Sequence, residues 1–183
     1  MMAIQQALRP DRANTMDVDA ITALINSMAF SKDGGDLLPR SRESVIQAIP
    51  DFFVVHQGHE LAGCVSLKTM GQGLAEVRSL AVDPRFQGSG VGRLLVEACV
   101  EEARERDLHT LFALTRRPAF FERFGFQQAE IVHFPKKVWQ DCYVCPRFVE
   151  CDEVAVVREI AARDEAPYIV GAHSSTALPR PSA

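Results

Sequence analysis

At 183 residues the chain has the length of one domain, and a core domain of about 150 residues buries on the order of 70% of its unfolded surface, enough to fold without staples. Its 47% hydrophobic and 24% charged content is that of a soluble globular protein, and a net charge of −4 gives no reason to expect nucleic acid or an anionic membrane as partner. No apolar run approaches the roughly 20 residues of a membrane span. The N-terminus lacks the apolar core of a signal peptide, so a cytoplasmic location and five reduced cysteines are expected.

In chain order, Ile4–Leu8 is a short strand candidate. Met16 to Met28 has helical periodicity through Val18, Ile21, Leu24 and Ile25. A loop over 31–40 carries Gly34-Gly35 and Pro39. Ser41 can cap a second helix, and Pro50 stands just beyond its end. Phe52–His56 and Leu61–Lys68 read as a hairpin joined by Gln57-Gly58-His59-Glu60, and Met70-Gly71-Gln72-Gly73 is the next turn. Leu74–Val82 is a strand, and a long helix runs from Val91 to about Arg106. Thr110–Leu114 is a buried strand, Pro118 opens a helix ending near Gly125, and Phe126 to Val132 is a further strand. Pro135–Asp141 is a short helix and Val154 to Ile160 a last strand. Residues 1–163 are expected to form one domain. Residues 164–183, with Ser174, Ser175, Pro179 and Pro181, are expected to be a mobile tail.

Residues 87–92, Gln-Gly-Ser-Gly-Val-Gly, sit between a strand and a helix whose Val91, Leu94, Leu95, Ala98 and Cys99 make one apolar stripe. A glycine-rich turn opening a helix presents backbone N–H groups with little side chain to shield them. The helix dipole adds positive charge at the same end, which suits a phosphate or pyrophosphate. The glycines are not followed by the Lys-Ser or Lys-Thr of a P-loop. Their positions at 88, 90 and 92 also fail the Gly-x-Gly-x-x-Gly dinucleotide fingerprint.

The pattern Gln/Arg-x-x-Gly-x-Gly/Ala is present through Gln87, Gly90 and Gly92, just after Leu80-Ala81-Val82-Asp83-Pro84. With the order of elements over residues 3–160, it resembles the acetyl-CoA site of the GCN5-related N-acetyltransferase (GNAT) superfamily. The resemblance implies an α/β fold: a mixed sheet flanked by helices, whose central strands, here Leu74–Val82 and Thr110–Leu114, splay apart to admit the acyl-CoA arm. Further segments are similar to the acetyltransferase domain of N-acetylglutamate synthase in its short stand-alone form. They are Leu37-Leu38-Pro39-Arg40-Ser41, Ala75-Glu76-Val77-Arg78, Phe120-Phe121-Glu122-Arg123-Phe124-Gly125-Phe126, Pro135-Lys136-Lys137-Val138-Trp139-Gln140-Asp141-Cys142 and Cys151-Asp152-Glu153. That family acetylates the α-amine of L-glutamate, the first step of arginine biosynthesis.

The resemblance implies that Glu76 is the general base. A carboxylate in a partly desolvated cleft can take the proton that keeps an α-amine from attacking, directly or through water. By strand alternation, Glu76, Arg78 and Leu80 are expected on one face. Backbone N–H groups of Gln87, Gly88, Ser89, Gly90, Val91 and Gly92 would hold the pyrophosphate, with Arg93 adding charge. The backbone of Leu80, Ala81 and Val82 can pair with pantetheine amides as a strand would.

For an acceptor carboxylate the resemblance implies Arg40 and the backbone of Leu38. Arg78 is a further candidate, and Arg116 and Lys137 are weaker ones. The long enzymes carry Arg-x-Ser near the last strand, where this chain has Cys151-Asp152-Glu153. That leaves other acceptors open: a different small amine or a protein N-terminus. A non-catalytic acyl-CoA sensor with a cysteine switch also stays open.

The superfamily's tyrosine acid is missing from the Phe120–Phe126 segment; Cys142, Tyr143 or water could take its place. Cys142-x-x-Cys145-x5-Cys151 contains half of a zinc knuckle, but its second half is incomplete, so a structural zinc is not expected. Cys64 and Cys99 are expected in the core, and His56, His59 and His109 on the surface. Superfamily members are often dimers, so a homodimer stays open, although no interface is legible.

Overall fold

A computed structural model describes residues 8–30, 35–131, 134, 142–143, 145 and 148–160. The elements are β1 (Pro10–Arg12), α1 (Val18–Ser27), α2 (Arg42–Ala48), β2 (Phe52–Gln57), β3 (Glu60–Gly71) and β4 (Leu74–Val82). They continue as α3 (Val91–Glu105), β5 (Thr110–Thr115), α4 (Pro118–Glu122), β6 (Gln127–Ala129) and β7 (Val154–Glu159). The expected strand at Ile4–Leu8 and the short helix at Pro135–Asp141 lie largely or wholly outside the described residues, as does the tail. The first described strand is Pro10–Arg12 instead. It runs along the sheet edge, where a proline's missing N–H costs no ladder bond.

The seven strands order as β1-β2-β3-β4-β5-β7-β6, and β4 with β5 is the one parallel pair among them. The two pair only from Leu74–Thr110 to Glu76–Phe112. β4 then runs on to Val82 beside β3, while β5 stays with β7 to Thr115. The central strands therefore open into a V, as expected.

Helices cover both faces because the strands alternate. Phe52 and Val54 of β2 pack with Val18, Ile21 and Ile25 of α1 and Val45 of α2. Phe53 and Val55 pack on the other side with Val91, Leu95, Cys99 and Ala103 of α3. Cys64 and Cys99 are fully buried, as expected. Burial pushes the Cys64 thiol up to about 12.

Two expectations need correction. Leu80 does not share a face with Glu76 and Arg78. Ser79 adopts φ 53°, and between the pairs Ser66–Arg78 and Cys64–Ala81 strand β4 carries one residue more than β3. This bulge moves the alternation on by one, so Leu80 and Val82 join the α3-side core while Ala81 packs on the α1 side. His56, expected as a plain surface residue, is half-buried, with Nε2 3.1 Å from Oδ1 of buried Asp17. Asp17 also accepts from the Asn14 N–H in the capping box of the single 3-10 turn, Thr15–Asp17, that leads into α1.

Candidate active site

Two adjoining cavities occupy the V between β4 and β5. The larger, of about 590 Å³, is lined by Leu38, Arg40, Ser44, Glu76 and Arg78, with Cys142, Cys145, Cys151 and Glu153 across from them. The smaller, of about 310 Å³, is lined by Leu80, Val82, Gln87, Gly88, Gly92 and Phe120. Val77, Arg78, Ser79, Leu114 and Arg116 line both, so the cavities join at the bulge.

Glu76 lines the larger cavity from the last position at which β4 pairs with β5, and it is 3% exposed. A buried carboxylate needs compensation. Part comes from Arg78, whose Nη1 lies 3.8 Å from Oε2 and whose side chain is 19% exposed.

Arg40 is held from both sides. Asn26 at the end of α1 brackets its backbone: Oδ1 accepts from the Arg40 N–H and Nδ2 donates to the Arg40 carbonyl, both at 2.9 Å. The guanidinium donates through Nε to Ser44 Oγ (3.2 Å), through Nη2 to the Ser44 carbonyl (3.0 Å) and through Nη1 to Ser79 Oγ (3.4 Å). Ser44 is available because Ser41 caps α2, its Oγ accepting from the Ser44 N–H at 3.1 Å.

The glycine loop opens onto the smaller cavity. Gly88 (φ 80°) and Gly90 (φ 91°) occupy the left-handed region, and the positions of their missing Cβ atoms face open space. Gly90 is the N-cap of α3 and supplies no side-chain cap. The first-turn N–H groups of a helix have no intrahelical acceptor, so this end can receive an anion. The Val91 side chain is core, and the Ser89 hydroxyl donates to the Phe86 carbonyl. Arg93 turns along the helix to Glu97, Nε to Oε1 2.8 Å, and does not line either cavity.

Arg116 serves a role that spacing does not reveal. Its Nε donates to Asp152 Oδ1 at 2.7 Å, and its Nη1 to the Gly35 carbonyl at 3.0 Å and Asp36 Oδ1 at 3.4 Å. Its Cζ lies 4.8 Å from the centre of the Phe30 ring. It thereby clamps the loop before Arg40 to the segment before β7. Lys137 lies outside the described residues. Sequence reasoning also missed Asn26 and Ser79, because each acts on a residue 14 or 39 positions away.

A family model described as the acetyltransferase (GNAT) family matches residues 19–126, from α1 through the cleft to the end of α4's turn. The chain belongs to the GNAT family. As such it is an acyltransferase of the acetyl-CoA-dependent type. Over 148 residues this GNAT chain is 38% identical to an uncharacterized N-acetyltransferase of Chlorobaculum tepidum, covering 81% of the chain and 94% of that relative. It is 34% identical to the amino-acid acetyltransferase of Mycobacterium tuberculosis, covering 65% of the chain and 68% of that protein. A solved N-acetylglutamate synthase from Neisseria gonorrhoeae, complexed with coenzyme A and N-acetyl-glutamate, superposes with a TM-score of 0.75 at 29% identity. That match takes in 87% of the GNAT chain but only 36% of the synthase chain, so the chain spans about a third of that enzyme. Among the described residues no helix is long and apolar enough to cross a membrane, and no group of His, Cys, Asp and Glu is arranged to hold a metal.

Proposed function

We propose that the chain transfers acetyl from acetyl-CoA to the α-amine of an amino acid, with L-glutamate the leading acceptor, and so serves the first step of arginine biosynthesis in the cytoplasm. One observation carries this reading. Glu76 is buried on the wall of the cavity lined by Arg40 and Arg78, next to Val77 and Arg78, where that cavity joins the one lined by the glycine loop. The names of the amino-acid acetyltransferase and synthase relatives support it.

In this mechanism the amides of Gln87 to Gly92 receive the pyrophosphate, with Arg93 adding long-range charge, and the extended backbone at Leu80, Ala81 and Val82 pairs with the pantetheine amides. The thioester then lies at the bulge. Arg40 and the Leu38 backbone take the acceptor's α-carboxylate, and Arg78 bounds the site beside Glu76. Glu76 accepts a proton from the ammonium, directly or through one water; the neutral amine attacks the thioester carbonyl, the C–S bond breaks, and the departing CoA thiolate takes the second proton from the new amide nitrogen through water.

A second reading is favoured by Asp152 and Glu153, which line the same cavity. Asp152 is engaged by Arg116, and the charge of Glu153 opposes a second carboxylate and suits an acceptor whose far end is neutral or cationic. Chromatographic detection of CoA release against a panel of amino acids, polyamines and aminoglycosides separates the two. Turnover with glutamate, and not with aspartate, glutamine or amines, is the expected result; turnover only with an amine would transfer the assignment. The Glu76→Gln variant should keep its acetyl-CoA affinity and lose turnover. Full turnover in that variant would remove Glu76 from the mechanism.

A further inference from the structure

Among the described residues, the cysteines divide by place. Cys64 and Cys99 are sealed in the two cores. Cys142 and Cys145 are half-buried, Cys151 is exposed, and all three line the larger cavity while none lines the smaller. The Cys145 N–H donates to the Cys142 carbonyl at 3.0 Å, and the Phe148 N–H donates to the Cys145 carbonyl at 3.0 Å. The first bond is the i to i+3 closure of a tight turn, which holds the two Cα atoms within about 7 Å. A disulfide requires a Cα separation of about 4.4–6.8 Å. The turn thus brings the Cα atoms of two half-buried cysteines toward the span that a disulfide needs, on the wall of one cavity. Cys151 instead directs its Sγ toward Glu153 Oε2, 3.9 Å away.

We propose that Cys142 and Cys145 are a modification site: a dithiol that exchanges with low-molecular-weight disulfides to form a reversible intramolecular disulfide, which changes acceptor binding. The effect on the acceptor rests on assigning the larger cavity to it, as above. The thiolate of one cysteine attacks a sulfur of the small disulfide, breaking its S–S bond and releasing one small thiol. The thiolate of the second attacks the protein sulfur of the mixed disulfide and releases the other. The protein pair is oxidised by two electrons, the small disulfide is reduced by two, and the two protons lost by the cysteines end on the released thiols. A disulfide closed over so short a loop and open to solvent belongs to the labile, reversible kind. Its formation removes two S–H groups and draws the two side chains together beside Ile131 and Phe148, which line the same cavity. The acetyl-CoA side, where neither cysteine stands, is left as it was.

The full chain treated with oxidised glutathione, then mapped by peptide mass spectrometry, tests the pairing without reference to any acceptor. The expected product is a Cys142–Cys145 link that dithiothreitol reverses. A stable glutathione adduct, or a link through Cys151, would overturn the proposal. Kinetics on the same samples should show acceptor KM rising about tenfold or more on oxidation, with acetyl-CoA affinity constant. An unchanged KM, or an equal loss of acetyl-CoA affinity, would equally overturn it. Cys145→Ser and Cys142→Ser should each stop at the mixed disulfide, seen as a glutathione adduct on the remaining cysteine, and Cys151→Ser should retain the full response. If glutamate proves not to be the acceptor, the mapping still stands, and the kinetic arm uses whichever amine turns over.

Discussion

Arg40 lines the larger cavity with its guanidinium already held in place. Two hydrogen bonds to Ser44 and one to Ser79 fix the guanidinium plane before any acceptor arrives, so little rotamer entropy remains to be lost on binding. Arg40→Ala should raise acceptor KM by about 2 kcal/mol, roughly 30-fold, with kcat and acetyl-CoA affinity nearly unchanged in steady-state kinetics. Arg40→Lys should not rescue it, because an ammonium lacks the planar fork. An unchanged KM in the alanine variant would sink the assignment. Arg40 was legible in the sequence because it follows Leu-Leu-Pro in a recognisable loop. The clamp formed by Arg116 was not legible in the sequence, because Asp36, Asp152 and the Gly35 carbonyl converge on it only in the fold. Burial pulls on that guanidinium, yet the hydrogen bond and charge of Asp152, with Asp36, outweigh it and keep the arginine charged.

α2 has only seven residues, so it depends on its cap and its packing more than on propensity. Ser41 Oγ satisfies the Ser44 N–H, and Ser44 in turn supports Arg40. Ser41→Ala should cost about 1 kcal/mol of stability in denaturant melts, and it should raise acceptor KM along with that loss. A stability loss with no change in KM would mean that Arg40 does not need the cap. This helix start was readable from Ser41 and Pro50, as was α3 from its apolar stripe. The bulge in β4 was not readable. Ser79 has no glycine's freedom at positive φ, and its conformation is set by the register of β3 against β4. One extra residue there takes Leu80 off the face of Glu76 and brings Arg78 and Ser79 to the junction of both cavities.

A buried carboxylate ties β1 and the segment before β2 to the end of α3. Glu102 on α3, 5% exposed, accepts from Arg12 of β1 and Arg106 just past α3; Arg106 also reaches Asp51 before β2 at 3.4 Å. Burial pushes the Glu102 carboxyl up, but the hydrogen bonds and charges of the two arginines outweigh it and hold it below its ordinary 4.5. With the folded value below the unfolded one, its contribution is complete above about pH 4.5 and is lost as pH falls through the depressed value. Glu102→Gln should therefore flatten the acid limb of stability against pH, followed by urea melts at stepped pH. Equal acid slopes in the two proteins would show that Glu102 does not set that limb.

The sequence by itself determined the order of elements, the capped helix starts, the glycine loop and the family, since each is written in residues a few positions apart. Only the tertiary structure decided the phase of β4 after Ser79, the clamp at Arg116, the support of Arg40 and the cysteine wall of the larger cavity. It also decided the pairing of Arg12 with Glu102, 90 residues away. The physical reason is that period, capping and turn chemistry act over one or two turns of chain. Ion pairs, bulges and cavity walls depend on which distant segments the core brings into contact.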